Sequence, residues 1–168
     1  MQIEVGVRYA IDAKLWQLYC DVYFSSYSEN TNILGLTDGV KGVIISVWNP
    51  FGQTLTLKQN ALFSRKLLTY LNSKAIPYFL LWGGSKDMTY RELSVLVRVD
   101  RTRAYQLAQQ FKQLAYYYVE NGILMLINSH NRQQRTVVGG LHRRVLKASS
   151  SHKRRNALTA GNLAIAKP

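Results

Sequence analysis

The stretch VKGVIISVWNPFGQ, residues 40–53, joins a strand to a helix and organises the rest of the chain. Residues 40–47 are β-branched and nearly all apolar, which is typical of a central strand that is covered on both faces. Pro50 ends this strand, because proline has no amide hydrogen to donate to a sheet. Thr54 or Thr56 can then cap a helix that continues to about Ser73.

Further strand and helix signals follow in a regular order. Strands are predicted at Tyr78–Trp82 and Glu92–Val99, and Asp100 is a natural cap for a second helix. The apolar residues of that helix are spaced to form one stripe; they are Ala104, Leu107, Ala108, Phe111 and Leu114.

The end of the second helix has two interpretations. If the helix ends near Gln113, Asn121-Gly122 predicts a hairpin that joins strands at 115–119 and 123–127. Alternatively, the helix continues to Val119 and Gly122 terminates it. The first interpretation gives the order strand–helix–strand–strand–helix–strand–strand from residue 40.

Two fused strand–helix–strand passes predict an α+β fold, specifically a ferredoxin-like two-layer sandwich with a mixed or antiparallel sheet. Right-handed crossovers place both main helices on one face of that sheet. The domain is expected to span residues 1–128. Residues 129–168 are polar, small or basic and predict a largely disordered tail.

The net charge of +13 is unevenly distributed along the 168 residues. Residues 1–128 contain 13 Lys and Arg against 9 Asp and Glu, a net of +4, whereas residues 129–168 contain 9 Lys and Arg and no acid. This asymmetry indicates a nucleic-acid partner, RNA or an RNA–protein assembly, although a solvated tail that aids solubility has the same composition. The candidate phosphate-binding residues are Arg143, Arg144, Lys147, Lys153, Arg154 and Arg155.

A second candidate site surrounds the junction after residue 47. Its members are polar or aromatic and lie near one strand end or on the neighbouring strand; they are Trp48, Asn49, Gln53, Asn60, Glu92 and Ser94. Trp48 can stack on a ring and the amides can read hydrogen-bonding edges, which favours a small-ligand pocket. Alternatively, the amides satisfy backbone groups of the loop, and Glu92 accepts hydrogen bonds from them.

Several classes of site are excluded or disfavoured by composition. No histidine precedes residue 130, so a Ser-His-acid triad in the body is excluded, and no residue is assigned a catalytic role. The single cysteine, Cys20, allows no internal disulfide, and no metal or cofactor is expected. No apolar run is long enough to cross a membrane, and the N-terminus lacks the order of a signal peptide, so a cytoplasmic protein is expected.

A series of short motifs resembles a bacterial family catalogued as domain of unknown function 3293. These motifs are Trp48-Asn49-Pro50, Gln53, Asn60, the pair Glu92-x-Ser94, and the run from Ala108 through Phe111 to Ala115. They extend over roughly residues 12–127. Tyr90 stands where the family usually has Trp, and the basic tail is outside the family pattern. The resemblance implies a shared site but no reaction.

Together these features favour a small binding module that contacts nucleic acid through its basic tail. An enzyme or small-ligand protein that uses the junction pocket is one alternative, and a protein–protein adaptor or inhibitor is another. Whether the protein is an enzyme stays open, with a binding role favoured.

Overall fold

Seven strands form one sheet in this computed structural model, which describes residues 11–28, 33, 35 and 39–147. The strands are β1 (Tyr23–Ser26), β2 (Gly42–Ser46), β3 (Tyr78–Gly84), β4 (Arg91–Val97), β5 (Ala115–Glu120), β6 (Ile123–Asn128) and β7 (Arg135–Gly140). The α-helices among the described residues are α1 (Ala13–Cys20), α2 (Leu57–Ser73) and α3 (Arg101–Gln110). Within the same described residues, 3₁₀ helices cover Pro50–Gly52 and Leu141–Arg143.

The sheet is antiparallel, with the strand order β1-β3-β4-β2-β5-β6-β7. The predicted α+β class is therefore confirmed. The four strands of the two predicted passes lie side by side as β5-β2-β4-β3. On one sheet face, residues of α2 and α3 such as Leu71 and Leu107 join a core with Val43, Val95 and Tyr118.

The opposite face of the sheet is also covered, so the fold differs from a simple two-layer sandwich. A second core on this face includes Phe24 of β1, Ile44 of β2, Leu96 of β4 and Leu124 of β6. Leu141, which follows β7, completes this core and is only 2% exposed. Apolar residues therefore pack against both faces of the central strands, which explains why residues 43–45 and 47 are all buried.

The sheet must curl, because its two outer edges are joined by a short piece of chain. In a flat sheet, six strand spacings would separate β1 from β7 by about 29 Å. The five Cα–Cα steps from Gly140 to Val145 can span at most about 18 Å. Yet Phe24 N donates to Arg144 O and Leu146 N donates to Phe24 O, both at 2.7 Å. The second core lies inside the curl.

Local capping chemistry fixes where the helices begin. Asp12 and Asp100 cap α1 and α3 by accepting from the backbone amides of Leu15 and Arg103, each at 2.8 Å. Of the two threonines predicted as caps, Thr56 caps the N-terminus of α2 and forms a capping box with Gln59.

The structure at the end of α3 decides between the two interpretations of residues 111–122. Lys112 takes a left-handed conformation with φ of 54°, and Gln113 N donates to Ala108 O while Lys112 N donates to Gln109 O. This pattern of bonds is a Schellman motif, which terminates a helix. Asn121 and Gly122, with φ of 52° and 72°, then form the predicted hairpin between β5 and β6.

The predicted domain boundary at residue 128 does not hold for the residues that follow it. Arg135–Gly140 pairs with β6 as a seventh strand, and residues 141–146 cross to β1. Thr136, Val137 and Val138 are β-branched and suit a strand, but Gly139-Gly140 directly after them resembled the start of a loop. The remainder of the predicted tail, residues 148–168, lies outside the described residues.

In residues 11–147, as far as they are described, no helix has the length and apolar character of a membrane-spanning segment.

Candidate functional site

The junction between β2 and α2 has an unusual backbone. Asn49 and Phe51 both have positive φ, at 48° and 56°, and Gly52 follows at 69°. Asparagine tolerates the left-handed region because its short polar side chain can bond locally. Phenylalanine rarely adopts it, so the surrounding structure must hold the turn in place.

Asn49 and Asn60 hold this turn against the first turns of α2. The backbone N–H of Asn49 donates to Asn60 Oδ1 at 2.8 Å, and Asn60 Nδ2 donates to Asn49 Oδ1 at 3.0 Å. Asn49 Oδ1 also accepts from Leu55 N at 2.9 Å, while Asn60 Nδ2 reaches Leu55 O at 3.3 Å. Both asparagines are buried, at 9% and 2% exposure. Every side-chain oxygen and nitrogen of this pair has a partner within the protein.

Glu92 of β4 links the same turn to the end of β2. Its Oε2 accepts from Ser46 Oγ at 2.7 Å, and its Oε1 accepts from Asn49 Nδ2 at 2.6 Å and from the Tyr90 hydroxyl. These partners are neutral, so within the described part of the chain the carboxylate is stabilised by hydrogen bonds and not by an ion pair. The junction cluster, defined here as Ser46, Asn49, Asn60, Tyr90 and Glu92, therefore joins β2, β4 and α2.

The other predicted ligand-binding residues lie differently. Trp48 packs edge-on against Trp82, with ring centroids 5.6 Å apart, and its carbonyl accepts from Gln113 Nε2. Gln53 is exposed, and its backbone N–H donates to Pro50 O. Ser94 is buried opposite Ser46 in the β2–β4 register, and its Oγ donates to the backbone carbonyl of Glu92 at 3.5 Å.

The structure thus brings Asn49, Asn60 and Glu92 into one hydrogen-bonded cluster, with Trp48 beside it. Ser46 and Tyr90 were not predicted as members. Ser46 could have been noticed as a polar residue at the end of an otherwise apolar run, and Tyr90 as a departure from the family pattern two residues before Glu92. A ligand-binding role for the cluster stays a prediction, since its amides already bond one another.

Trp48 carries the most unusual polar atom at this end of the sheet. Its indole Nε1 is buried, and among the described residues it has no hydrogen-bond partner. The Trp82 ring occupies one side of the indole, and Tyr27 packs on Trp82 in turn. The indole of Trp48 is therefore part of a partly buried aromatic cluster at this end of the sheet.

Three tyrosines that feel the charge of Glu92 have raised pKa values. Burial raises the pKa of Tyr19 to about 12, and the nearby charge of Glu92 adds to the increase. The pKa of Tyr90 is also raised, first by burial and then by Glu92. Burial likewise raises the pKa of Tyr117, whose hydroxyl donates to Tyr19 O at 2.7 Å.

Stability is expected to fall at alkaline pH because of these tyrosines. Their pKa values in the fold exceed the ordinary value of 10.0, so the unfolded chain releases the phenol protons first. Their contribution is full below about pH 10 and is lost as pH rises through the folded values, about 12 for Tyr19. Urea unfolding at a series of pH values measures this loss. Tyr117→Phe should lose less stability across the same range than the parent protein, and an equal loss would exclude Tyr117 as a source.

The predicted nucleic-acid-binding residues fall into three groups. Arg143 and Lys147 are exposed. Arg144 instead turns inward, where its guanidinium donates to Val22 O and Val138 O, both at 3.3 Å, and lies 5.2 Å from the centre of the Tyr23 ring. Lys153, Arg154 and Arg155 lie outside the described residues.

Arg132 and Arg135 are exposed cations of the same acid-free region that the sequence did not single out. They join Arg143 and Lys147 in what we call the basic segment, residues 129–147. Arg144 belongs to the fold by its contacts, and it fastens the end of this segment to β1 and β7.

Metal ligands do not cluster in the described part of the chain: no group of three or more His, Cys, Asp or Glu side chains is placed to hold an ion there.

Comparison with known proteins finds a resemblance to one family over the middle of the chain. Residues 45–116 match the family described as Protein of unknown function (DUF3293). The predicted resemblance is confirmed for this span, which is narrower than the expected 12–127. It runs from within β2 to the start of β5 and includes all five members of the junction cluster, but it excludes the basic segment. No curated protein and no solved structure matched the chain.

Proposed function

We propose that this protein binds nucleic acid, RNA in the first instance, through its basic segment and the cations that follow it. The observation that carries the proposal is a concentration of positive charge on a folded scaffold. Residues 129–168 contain 9 Lys and Arg and no acid, and residues 135–146 of this region are ordered by β7 and by the contacts with β1.

The exposed cations of the basic segment are available to bind the phosphate groups of a nucleic acid. Among the described residues, the salt bridges join Lys41 and Arg101 to Glu120 and do not involve the basic segment. Arginine can grip a phosphate with two parallel hydrogen bonds, and lysine contributes a compact charge. Cations that are held on a sheet edge have less conformational freedom to lose on binding than cations on a loose chain.

Removing charge from the basic segment is expected to flatten the salt dependence of binding. Each neutralised phosphate on a single strand changes the slope of log K against log salt by about 0.7, so replacing Arg135, Arg143 and Lys147 with Gln should change it by about 2. The measurement is fluorescence anisotropy of the full chain with a labelled single-stranded RNA, between about 50 mM and about 200 mM salt.

The matched control removes the same charge from another exposed surface. Lys58, Arg65 and Lys66 lie exposed on α2, and their Gln variants should keep a slope close to that of the parent protein. Equal effects of the two triple variants would mean that binding follows net charge alone. No RNA binding at low salt would overturn the proposal.

The two alternative functions give different results in the same titration. A small-ligand protein that uses the junction cluster, or a protein–protein adaptor, has no reason to bind RNA more tightly as salt falls. A truncation after residue 128 is unsuitable for this test, because it would delete β7 and the residues that cross to β1.

A further inference from the structure

The loop between β6 and β7, residues 129–134, is held in a defined shape by a buried side chain at its base. Asn128, which is 4% exposed, accepts from the backbone amides of His130 at 2.7 Å and Asn131 at 3.1 Å through its Oδ1. Its Nδ2 donates to Gln134 Oε1 at 2.7 Å. One buried amide side chain thus fixes both ends of the loop.

The base of the loop is also fastened to α3 and to the chain that follows it. Gln109 Nε2 donates to the carbonyl of Ser129, and Ser129 N donates to Leu114 O at 2.9 Å. Ser129 is fully buried. In contrast, the side chains at positions 130–133 are exposed; they are His130, Asn131, Arg132 and Gln133. The loop therefore presents polar side chains from a fixed backbone.

Arg132 is positioned by an aromatic ring. Its guanidinium carbon lies 4.6 Å from the centre of the Tyr105 ring, and Tyr105 is half-buried on α3 against the first core. A guanidinium over a ring is attracted by the ring's negative face, which orders a side chain that is otherwise mobile. Arg132 is exposed, so its side chain remains open to solvent beside the Tyr105 ring.

This arrangement offers a planar cation on which an unpaired base can stack. Proteins that read single-stranded RNA stack its splayed bases on aromatic rings and on guanidinium planes, whereas bases in a duplex are covered by their neighbours. Asn131 and Gln133, beside Arg132, carry amides that can bond base edges. Phosphates can contact Arg135, which begins β7 immediately after the loop.

We propose that residues 130–133 form a contact site for single-stranded nucleic acid, in which one base stacks on the Arg132–Tyr105 pair. The inference rests on the proposed function. It adds the place at which the protein contacts bases as well as phosphates. It assigns a role to the guanidinium plane of Arg132 that is separate from its charge.

Arg132→Lys tests this separation, because it keeps the charge and removes the plane. Binding of the full chain to single-stranded RNA should weaken about tenfold, within the range for loss of one stacked base, while the salt slope stays unchanged. Binding to inorganic polyphosphate, which has no bases, should be unaffected. Tyr105→Leu keeps an apolar side chain and should weaken RNA binding similarly; thermal melting checks that this variant folds.

The outcomes separate the two proposals. If neither RNA nor polyphosphate binds at low salt, the nucleic-acid function itself fails. If both bind and Arg132→Lys matches the parent protein on RNA, the stacking site is overturned and the phosphate-binding function stands. An equal loss on duplex and single-stranded RNA would also overturn the stacking site, because duplex bases are not open to Arg132.

Discussion

Replacing Phe111 with alanine is expected to lower the free energy of unfolding by about 3–5 kcal/mol, which is the usual cost of truncating a buried phenylalanine. Phe111 has no solvent exposure and packs in the core between the helices and the sheet. Its removal leaves a cavity that the surrounding strands cannot fill without moving. Denaturant unfolding followed by fluorescence or circular dichroism measures the loss.

The backbone around Phe111 should remain intact in this variant, so the loss reports packing. The bonds that end α3 run between main-chain atoms, including Phe111 N to Leu107 O at 2.7 Å, and alanine preserves them. Leu62→Ala, on the exposed side of α2 at 56% exposure, is the control and should change stability by less than about 0.5 kcal/mol. A Phe111→Ala loss under about 1 kcal/mol would contradict the described core.

The central part of the fold could be predicted because its signals are local. The apolar run before Trp48 indicated a strand covered on both faces, and the structure buries residues 43–45 from two different cores. Asp100 and the Asn121-Gly122 turn identified the start of α3 and the hairpin through capping and positive φ. Such features act within a few residues, so a single sequence displays them.

The curl of the sheet and the seventh strand could not be predicted in the same way. Both depend on contacts between distant parts of the chain, such as the Phe24–Tyr117 ring contact at 5.6 Å and the bridge from Phe24 to Val145. In sequence, β7 is a short β-branched run next to two glycines within a basic stretch. Only its pairing with β6 makes it a strand.

The candidate sites, like the fold, could be predicted only in part. The spacing of Asn49 and Asn60 around one strand end was enough to expect that they meet, and Glu92 meets them from the neighbouring strand. The sequence did not indicate that Trp48 packs against Trp82 or that the Arg144 guanidinium turns inward. Their environments come from Trp82 and from the Val22 and Val138 carbonyls, which are remote in sequence.

Asn49→Ala is expected to destabilise the protein by about 4 kcal/mol, an effect comparable to the loss of a core phenylalanine. The substitution removes the acceptor of Leu55 N and Asn60 Nδ2 and the donor to Glu92. A buried group that loses its partner costs about 1–3 kcal/mol. Alanine at a φ of 48° adds about 1 kcal/mol of backbone strain.

Asn49→Gly separates these two contributions, since glycine removes the same side chain but adopts positive φ without strain. It should be more stable than Asn49→Ala by about 1 kcal/mol and still well below the parent protein. Gln53→Ala, at an exposed position of the same junction, is the matched control and should lie within about 0.5 kcal/mol of the parent. If Asn49→Ala has the same free energy of unfolding as Gln53→Ala, the side-chain amide of Asn49 does not hold the turn. In that case the side chain of Asn49 would be free for a ligand, and the small-ligand interpretation of the junction cluster would take precedence over the structural one.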